Sequence, residues 1–244
     1  MREPLAVRTL GAGDPLLLVH GGLGPRSTWA AQEPLAARWR LLIPARRGFA
    51  GSPPGERQDF EEDAADLEPL LTAERPNAVG FSYGGVGLAI AAGRALENVR
   101  SLTLIEPPLF GLAADHPDVA ALAALSSNYI GGQGGAGDAA AFERLAGVGD
   151  AVAGVLGEEL DEARRLARGM RPPMEADPDL GAIKAAGVPS LVVSGNHHPG
   201  LEAMCDALAG RLGARRERVE GARHAAQRAP GFNDVLERFL RSAR

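Results

Sequence analysis

The residue best placed for covalent chemistry is Ser82, in the run Gly80-Phe81-Ser82-Tyr83-Gly84 with Gly85 behind it. Ala78-Val79-Gly80-Phe81 reads as the end of a buried strand and Val86 to Ala95 as a helix of small residues, so Ser82 falls at the join. A serine on so sharp a turn lies close to its neighbours' backbone, and the positions two before and two after it can carry almost no side chain. The turn lifts the hydroxyl above the sheet edge and aims a helix N-terminus at it, which favours developing negative charge. In a chain with 32 glycines an ordinary strand-to-helix turn is the competing reading. A serine hydroxyl is a weak nucleophile until a base of near-neutral pKa takes its proton. Of the histidines His20, His116, His197, His198 and His224, only His224 sits in a polar loop after the last expected strand.

The elements that must hold these groups alternate strand and helix. Pro15 to Gly22 opens with a continuous apolar run, which suits a parallel strand covered on both faces. Ala6 to Leu10 is expected as an edge strand paired to it through a hairpin turn at Gly11-Ala12-Gly13-Asp14. Ser27 to Arg38 reads as a helix interrupted near Pro34, Leu41 to Pro44 as a strand, and Phe60 to Ala73 as a helix with Leu67, Leu70 and Leu71 on one face and acids on the other. The strand Val99 to Ile105 must end at Glu106-Pro107-Pro108, because prolines cannot extend a ladder. Alternation resumes with Pro189 to Gly195, a helix from Pro199 to Leu212, a strand near Arg216 to Val219 and a closing helix from Pro230. Residues 1–109 and 181–244 are therefore expected as one core, with 110–180 inserted as a helical cap or lid. The tract Gly131 to Gly137 reads as a mobile hinge, since no strand precedes it and no Lys-Ser/Thr follows, as a phosphate cradle would require.

Composition narrows the class of partner. The chain has 244 residues, 45% of them hydrophobic, and a net charge of -5. No Lys/Arg block suggests nucleic acid or an anionic membrane, and a small-molecule substrate is the expected partner. Neither a cleavable leader nor a membrane-length apolar run is visible, so a cytoplasmic protein is expected. Cys205 is the only cysteine and reads as a buried small hydrophobe. No metal site is expected, because the adjacent His197 and His198 do not share a face and no partner at ligand spacing accompanies them.

With His20-Gly21-Gly22, the Gly80 to Gly85 turn and Gly221-Ala222-Arg223-His224 in this order, the chain resembles the α/β-hydrolase superfamily from end to end, the cap excepted. Arg46-Arg47-Gly48-Phe49-Ala50-Gly51-Ser52 and Val192-Val193-Ser194-Gly195 are similar to further stretches of that family. The resemblance implies an α/β fold with a mostly parallel sheet flanked by helices, Ser82 as nucleophile and His224 as general base. It implies oxyanion donors at the amides of Gly22 or Leu23 and of Tyr83, with His20 a packed brace for that loop. No cofactor is implied. The superfold hosts many chemistries, so substrate does not follow from it.

One position departs from the family's pattern. Where members commonly carry an aspartate past the seventh strand, this chain has His198. Some relatives place the acid at the end of the sixth strand instead, and Glu106 occupies that place here. Either Glu106 orients His224 or it is a structural strand exit. Electrostatics favours Glu106 over His198, since a carboxylate stabilises an imidazolium while a second imidazole competes for its proton. The expected activity is hydrolysis or acyl transfer on a small apolar ester, thioester or lactone. Two rivals stand beside it: a lyase, cyclase or acyl transferase using the same Ser-His pair, and a ligand-binding receptor with marginal turnover.

Overall fold

Parallel strands carry the molecule, and their order follows from where the apolar runs can be covered. The computed structural model describes residues 2–49, 51–131, 135, 137, 140, 141, 143 and 150–243. Strands β1 (Val7–Leu10), β2 (Pro15–Val19), β3 (Arg40–Pro44), β4 (Asn77–Phe81), β5 (Ser101–Ile105), β6 (Ser190–Ser194) and β7 (Arg215–Arg218) form one sheet in the order β1-β3-β2-β4-β5-β6-β7. Every neighbouring pair is parallel except β1 with β3.

All five residues of β2, β4, β5 and β6 are buried, which is why these runs show no polar alternation. Their side chains still alternate between two cores. Leu17, Val19, Leu102 and Leu104 pack under α2 (Phe60–Glu74), α3 (Ser82–Arg94) and the later helices α6 (Leu180–Ala185) and α7 (Pro199–Leu212). Leu16, Leu18, Ile105 and Val193 face the other way, toward Trp29 of α1 (Pro25–Trp29), the 3-10 turn Ala30–Ala37 and α8 (Phe232–Ser242). Cys205 is buried in the first of these cores. Among the described residues no helix is long and apolar enough to cross a membrane.

The expected hairpin between the first two strands does not form. β1 runs antiparallel to β3, with Leu10 opposite Leu41, and β2 flanks the other edge of β3, with Leu16 also opposite Leu41. A crossover through α1 sets β3 beside β2, and β4 takes the remaining edge of β2, so no edge is left for β1. The connecting turn bends at Gly11, whose φ is 75° and where a Cβ would stand 2.2 Å from the Ala36 carbonyl oxygen.

Between β5 and β6 the chain leaves the sheet through a 3-10 turn (Phe110–Ala113), α4 (Pro117–Ile130), α5 (Asp150–Ala167) and a turn at Pro173–Glu175. Residues 132–134 and 136 of the glycine tract, and much of the patch expected over 139–146, lie outside the described residues. The inserted segment is fastened over the loop after β3: Ala163 and Leu166 of α5 pack on Ala45 and Phe49, and the Gln58 amide donates to the Leu166 carbonyl at 2.9 Å.

Candidate active site

The chain order reverses between β2 and β4, which neighbour each other although β3 separates them in sequence. In open α/β sheets that reversal opens a crevice at the carboxyl ends of the strands. Ser82 sits there, as the first residue of α3 directly after β4. It is held at φ 50°, a left-handed conformation that a non-glycine residue adopts only when its surroundings enforce it. The enforcement is steric. A Cβ on Gly80 would stand 2.7 Å from the Cα of Gly85, and one on Gly84 would stand 1.9 Å from the His20 carbonyl oxygen.

Three side chains from distant parts of the chain form one hydrogen-bonded line. Ser82 Oγ lies 2.9 Å from His224 Nε2, and His224 Nδ1 lies 2.7 Å from Glu106 Oε2. Glu106 is fully buried at the exit of β5, at φ 42°, and its Oε1 accepts the Gly195 amide at 2.7 Å. Burial pushes its carboxyl upward, but His197, His224 and the Gly195 amide outweigh that and hold its pKa below the ordinary value. An ionised Glu106 accepts from Nδ1–H and leaves Nε2 as the acceptor for the serine hydroxyl. Gly195 also lets the His224 loop approach: a Cβ there would stand 1.8 Å from the Arg223 carbonyl oxygen.

His198 is placed elsewhere. It caps α7, with Nδ1 accepting the Gly200 amide at 3.1 Å and Pro199 at the first helical position. Burial lowers its pKa, in keeping with an acceptor nitrogen. Its neighbour His197 is the imidazole near the site, with its ring 6.4 Å from that of His224 and its Nδ1 3.5 Å from Glu106 Oε1. Both of its ring nitrogens are buried, and among the described residues neither has a partner in hydrogen-bond geometry. In the sequence His198 holds the family's acid position, and His197 has no role beyond a rejected metal pair.

The loop after β2 is clamped from below. His20 Nδ1 donates to the Leu23 carbonyl at 2.6 Å, and Nε2 accepts the Arg46 amide at 2.9 Å. Burial, with the Arg46 charge, drives the His20 pKa well below 6.5, so the ring stays neutral and can serve as both donor and acceptor. The Arg46 guanidinium is itself buried and donates to the Gly21 carbonyl at 2.7 Å, to Gln58 Oε1 at 2.6 Å and to Asp63 Oδ2 at 2.6 Å. Burial raises the Asp63 pKa, with the Arg46 charge opposing. Asp63 and Asp66 of α2 therefore turn inward, against the expectation that the acids of this helix face solvent; Asp66 pairs with Arg2 and Arg47. Sequence reasoning missed Gln58, Asp63 and the Arg46 side chain, and an arginine loop followed by an acid-rich helix is the signal that could have found them.

The clamp leaves the Gly22 and Leu23 amides without a protein acceptor among the described residues. The Tyr83 amide is one of the first-turn donors that a helix cannot satisfy internally. Gly22, Leu23 and Tyr83 line one cavity with Ser82 and His224, walled by Phe110, Leu122, Leu160, Met170 and Leu201. Its volume of about 130 Å³ admits a small organic group rather than a single water. The Tyr83 phenol is not part of that chemistry. Burial pushes its pKa up, and it donates to the Arg171 carbonyl at 2.9 Å beneath the inserted segment.

A sharply turned serine, an imidazole and a buried carboxylate at the switch point of such a sheet define a hydrolase architecture. The model of the alpha/beta hydrolase family matches residues 16–232, and the chain belongs to that family. It is 33% identical over 105 residues to the 2-hydroxy-6-oxo-2,4-heptadienoate hydrolase of Pseudomonas putida, covering 39% of this chain and 38% of that protein. It is 34% identical over 118 residues to a candidate non-heme chloroperoxidase of Synechocystis, covering 45% of this chain and 43% of that one. The matches thus span less than half the length of either relative. Among solved structures, an esterase of Thermogutta terrifontis superposes with a TM-score of 0.73 at 20% identity, covering 98% of this chain and 93% of that one.

Proposed function

We propose that this hydrolase cleaves ester-type bonds of small, largely apolar substrates, an ester, thioester or lactone, through covalent catalysis at Ser82. The observation that carries the reading is the unbroken line from Ser82 Oγ through His224 to Glu106, at 2.9 and 2.7 Å. In the first step Ser82 Oγ attacks the carbonyl carbon while His224 Nε2 takes its proton, and the buried Glu106 carboxylate stabilises the imidazolium that forms. The tetrahedral oxyanion lies against the amides of Tyr83 and of Gly22 or Leu23. His224 then protonates the leaving alcohol or thiol, and a water activated by the same imidazole releases the acid from Ser82. Nucleophile, base and water suffice for this sequence, so no cofactor enters it. The segment between β5 and β6 acts as the cap, its apolar side chains selecting the substrate's hydrocarbon portion.

The test is covalent labelling with a fluorophosphonate, located by peptide mapping, together with turnover of phenyl butyrate. Labelling at Ser82 is expected, and Ser82→Ala should lose both the label and roughly six powers of ten in kcat. Equal labelling of the Ala variant, or Ser82-independent turnover, defeats the assignment.

A further inference from the structure

Arg228 lines the cavity above Ser82 from the 3-10 turn Ala226–Arg228, just after His224, and the chemistry above makes no use of it. Among the described residues two arginines reach the cavity wall. The guanidinium of Arg164 is closed off by Glu143, which takes two of its nitrogens at 3.0 Å each, so that pair brings no net charge. Arg228 has no such partner: among the described residues no carboxylate lies within ion-pairing distance of it. One nitrogen, Nη2, donates to the Ser27 carbonyl at 2.7 Å, which fixes the side chain's position. The nearest acid that acts on it, Glu159 of α5, is occupied with the amide and hydroxyl of Ser27. Burial lowers the Arg228 pKa while Glu159 opposes that, yet a guanidinium remains cationic at neutral pH.

A half-buried cation whose remaining donors are unfilled among the described residues, set in a largely apolar wall, costs solvation that a bound anion restores. A carboxylate matches its fork, forming two parallel charge-assisted hydrogen bonds. We propose that Arg228 is a specificity-determining residue that receives a carboxylate of the substrate, so that this site prefers esters or thioesters carrying a second, anionic carboxylate near the scissile group. The proposal rests on the ester-cleaving reading above and deepens it.

Three substrates separate the outcomes: phenyl butyrate as neutral reference, phenyl hydrogen glutarate with the anion on the acyl part, and 4-carboxyphenyl butyrate with it on the leaving part. Each is measured with wild type, Arg228→Gln and Arg228→Lys. For one of the two anionic esters, the ratio of kcat/KM to that of the neutral ester should fall about 10- to 100-fold in the Gln variant, the scale of a lost charge-assisted hydrogen bond. The Lys variant should retain part of the preference. If both ratios are unchanged while Ser82-dependent turnover persists, Arg228 merely supports the Ser27 segment and the inference is overturned, with the ester-cleaving reading intact. If no ester is turned over, that reading fails. A second measurement then decides on Arg228: glutarate should raise the Tm of Ser82→Ala protein, and the rise should vanish in Ser82→Ala/Arg228→Gln. A Tm shift that survives the Gln substitution, or none in either protein, overturns the inference as well.

Discussion

Glu106 rather than His198 lies against His224, as electrostatics favours, and the placement of His198 has a physical basis of its own. His198 precedes Pro199, whose ring cannot donate from its nitrogen, so the helix opens with its Gly200 amide reaching back to the imidazole. His116 does the same before Pro117, accepting the Asp118 amide at 3.3 Å. A ring committed to a cap cannot also orient His224. Glu106→Gln should therefore lower kcat by roughly two to four powers of ten with little change in KM, because the amide cannot stabilise an imidazolium. His198→Ala should instead cost about 1 kcal/mol of stability, the worth of an N-cap, and leave kcat close to wild type. Steady-state kinetics beside urea denaturation separates the two effects, and a collapse of kcat in the His198 variant would falsify this division of roles. The line formed by Ser82, His224 and Glu106 was legible because a serine between glycines, a histidine in a late polar loop and an acid at a strand end each leave a local mark. Arg46, Asp63 and His197 were not, since an arginine in a glycine loop, an aspartate in an acidic helix and a histidine in a pair all look solvated until the fold buries the first two and half-buries the third.

At the level of elements, the strand-to-helix join after β4 tolerates no side chain at its glycines, and the tolerance can be measured. The Gly84 position lies against the His20 carbonyl, so Gly84→Ala drives a methyl group into backbone that cannot yield as a flexible side chain would. It should cost at least the ~1–3 kcal/mol of overpacking and disturb both Ser82 and the His20 loop. Gly111 is the matched control: among the described residues a Cβ there meets nothing within 4 Å, and Gly111→Ala should stay within about 0.5 kcal/mol of wild type. Comparable midpoints for the two variants in urea would mean that the tight approach at Gly84 relaxes at no cost. The central strands β2, β4, β5 and β6 were readable because burial on both faces leaves their runs without polar alternation, whereas β7, Arg-Arg-Glu-Arg at the sheet edge, carries no such mark. The pairing of β1 was not readable. Which edge a short outer strand occupies depends on where the crossovers leave room, and Val7–Leu10 carries no residue that distinguishes β3 from β2 as its neighbour.

Over the whole molecule, stability and the shape of the loop after β2 depend on the same proton. His20 titrates near 6.5 in an unfolded chain but well below that in the fold, where its Nε2 must accept the Arg46 amide. As pH falls below that unfolded value, the unfolded chain gains a proton that the fold refuses, so stability declines, with a limiting slope of about 1.4 kcal/mol per pH unit for one such group. His198 adds to the decline in the same sense, its folded pKa also being lowered. Glu106, whose folded pKa lies below 4.5, contributes stability that is present above that value and is lost only as pH falls through the lower folded one. Asp63 acts oppositely: with a folded pKa above 3.8, it favours the fold as acid is added. Its charged surroundings are Arg46, Asp59 and Asp66, and among these only Arg46 also touches the His20 clamp. Between about pH 7 and pH 5 the decline should therefore come chiefly from His20. Urea midpoints across that range should fall steeply for wild type and flatten in His20→Gln, whose amide can bond the loop but takes up no proton. Parallel slopes in the two proteins would place the acid sensitivity elsewhere, and His20 would then be a packed ring whose ionisation the fold accommodates.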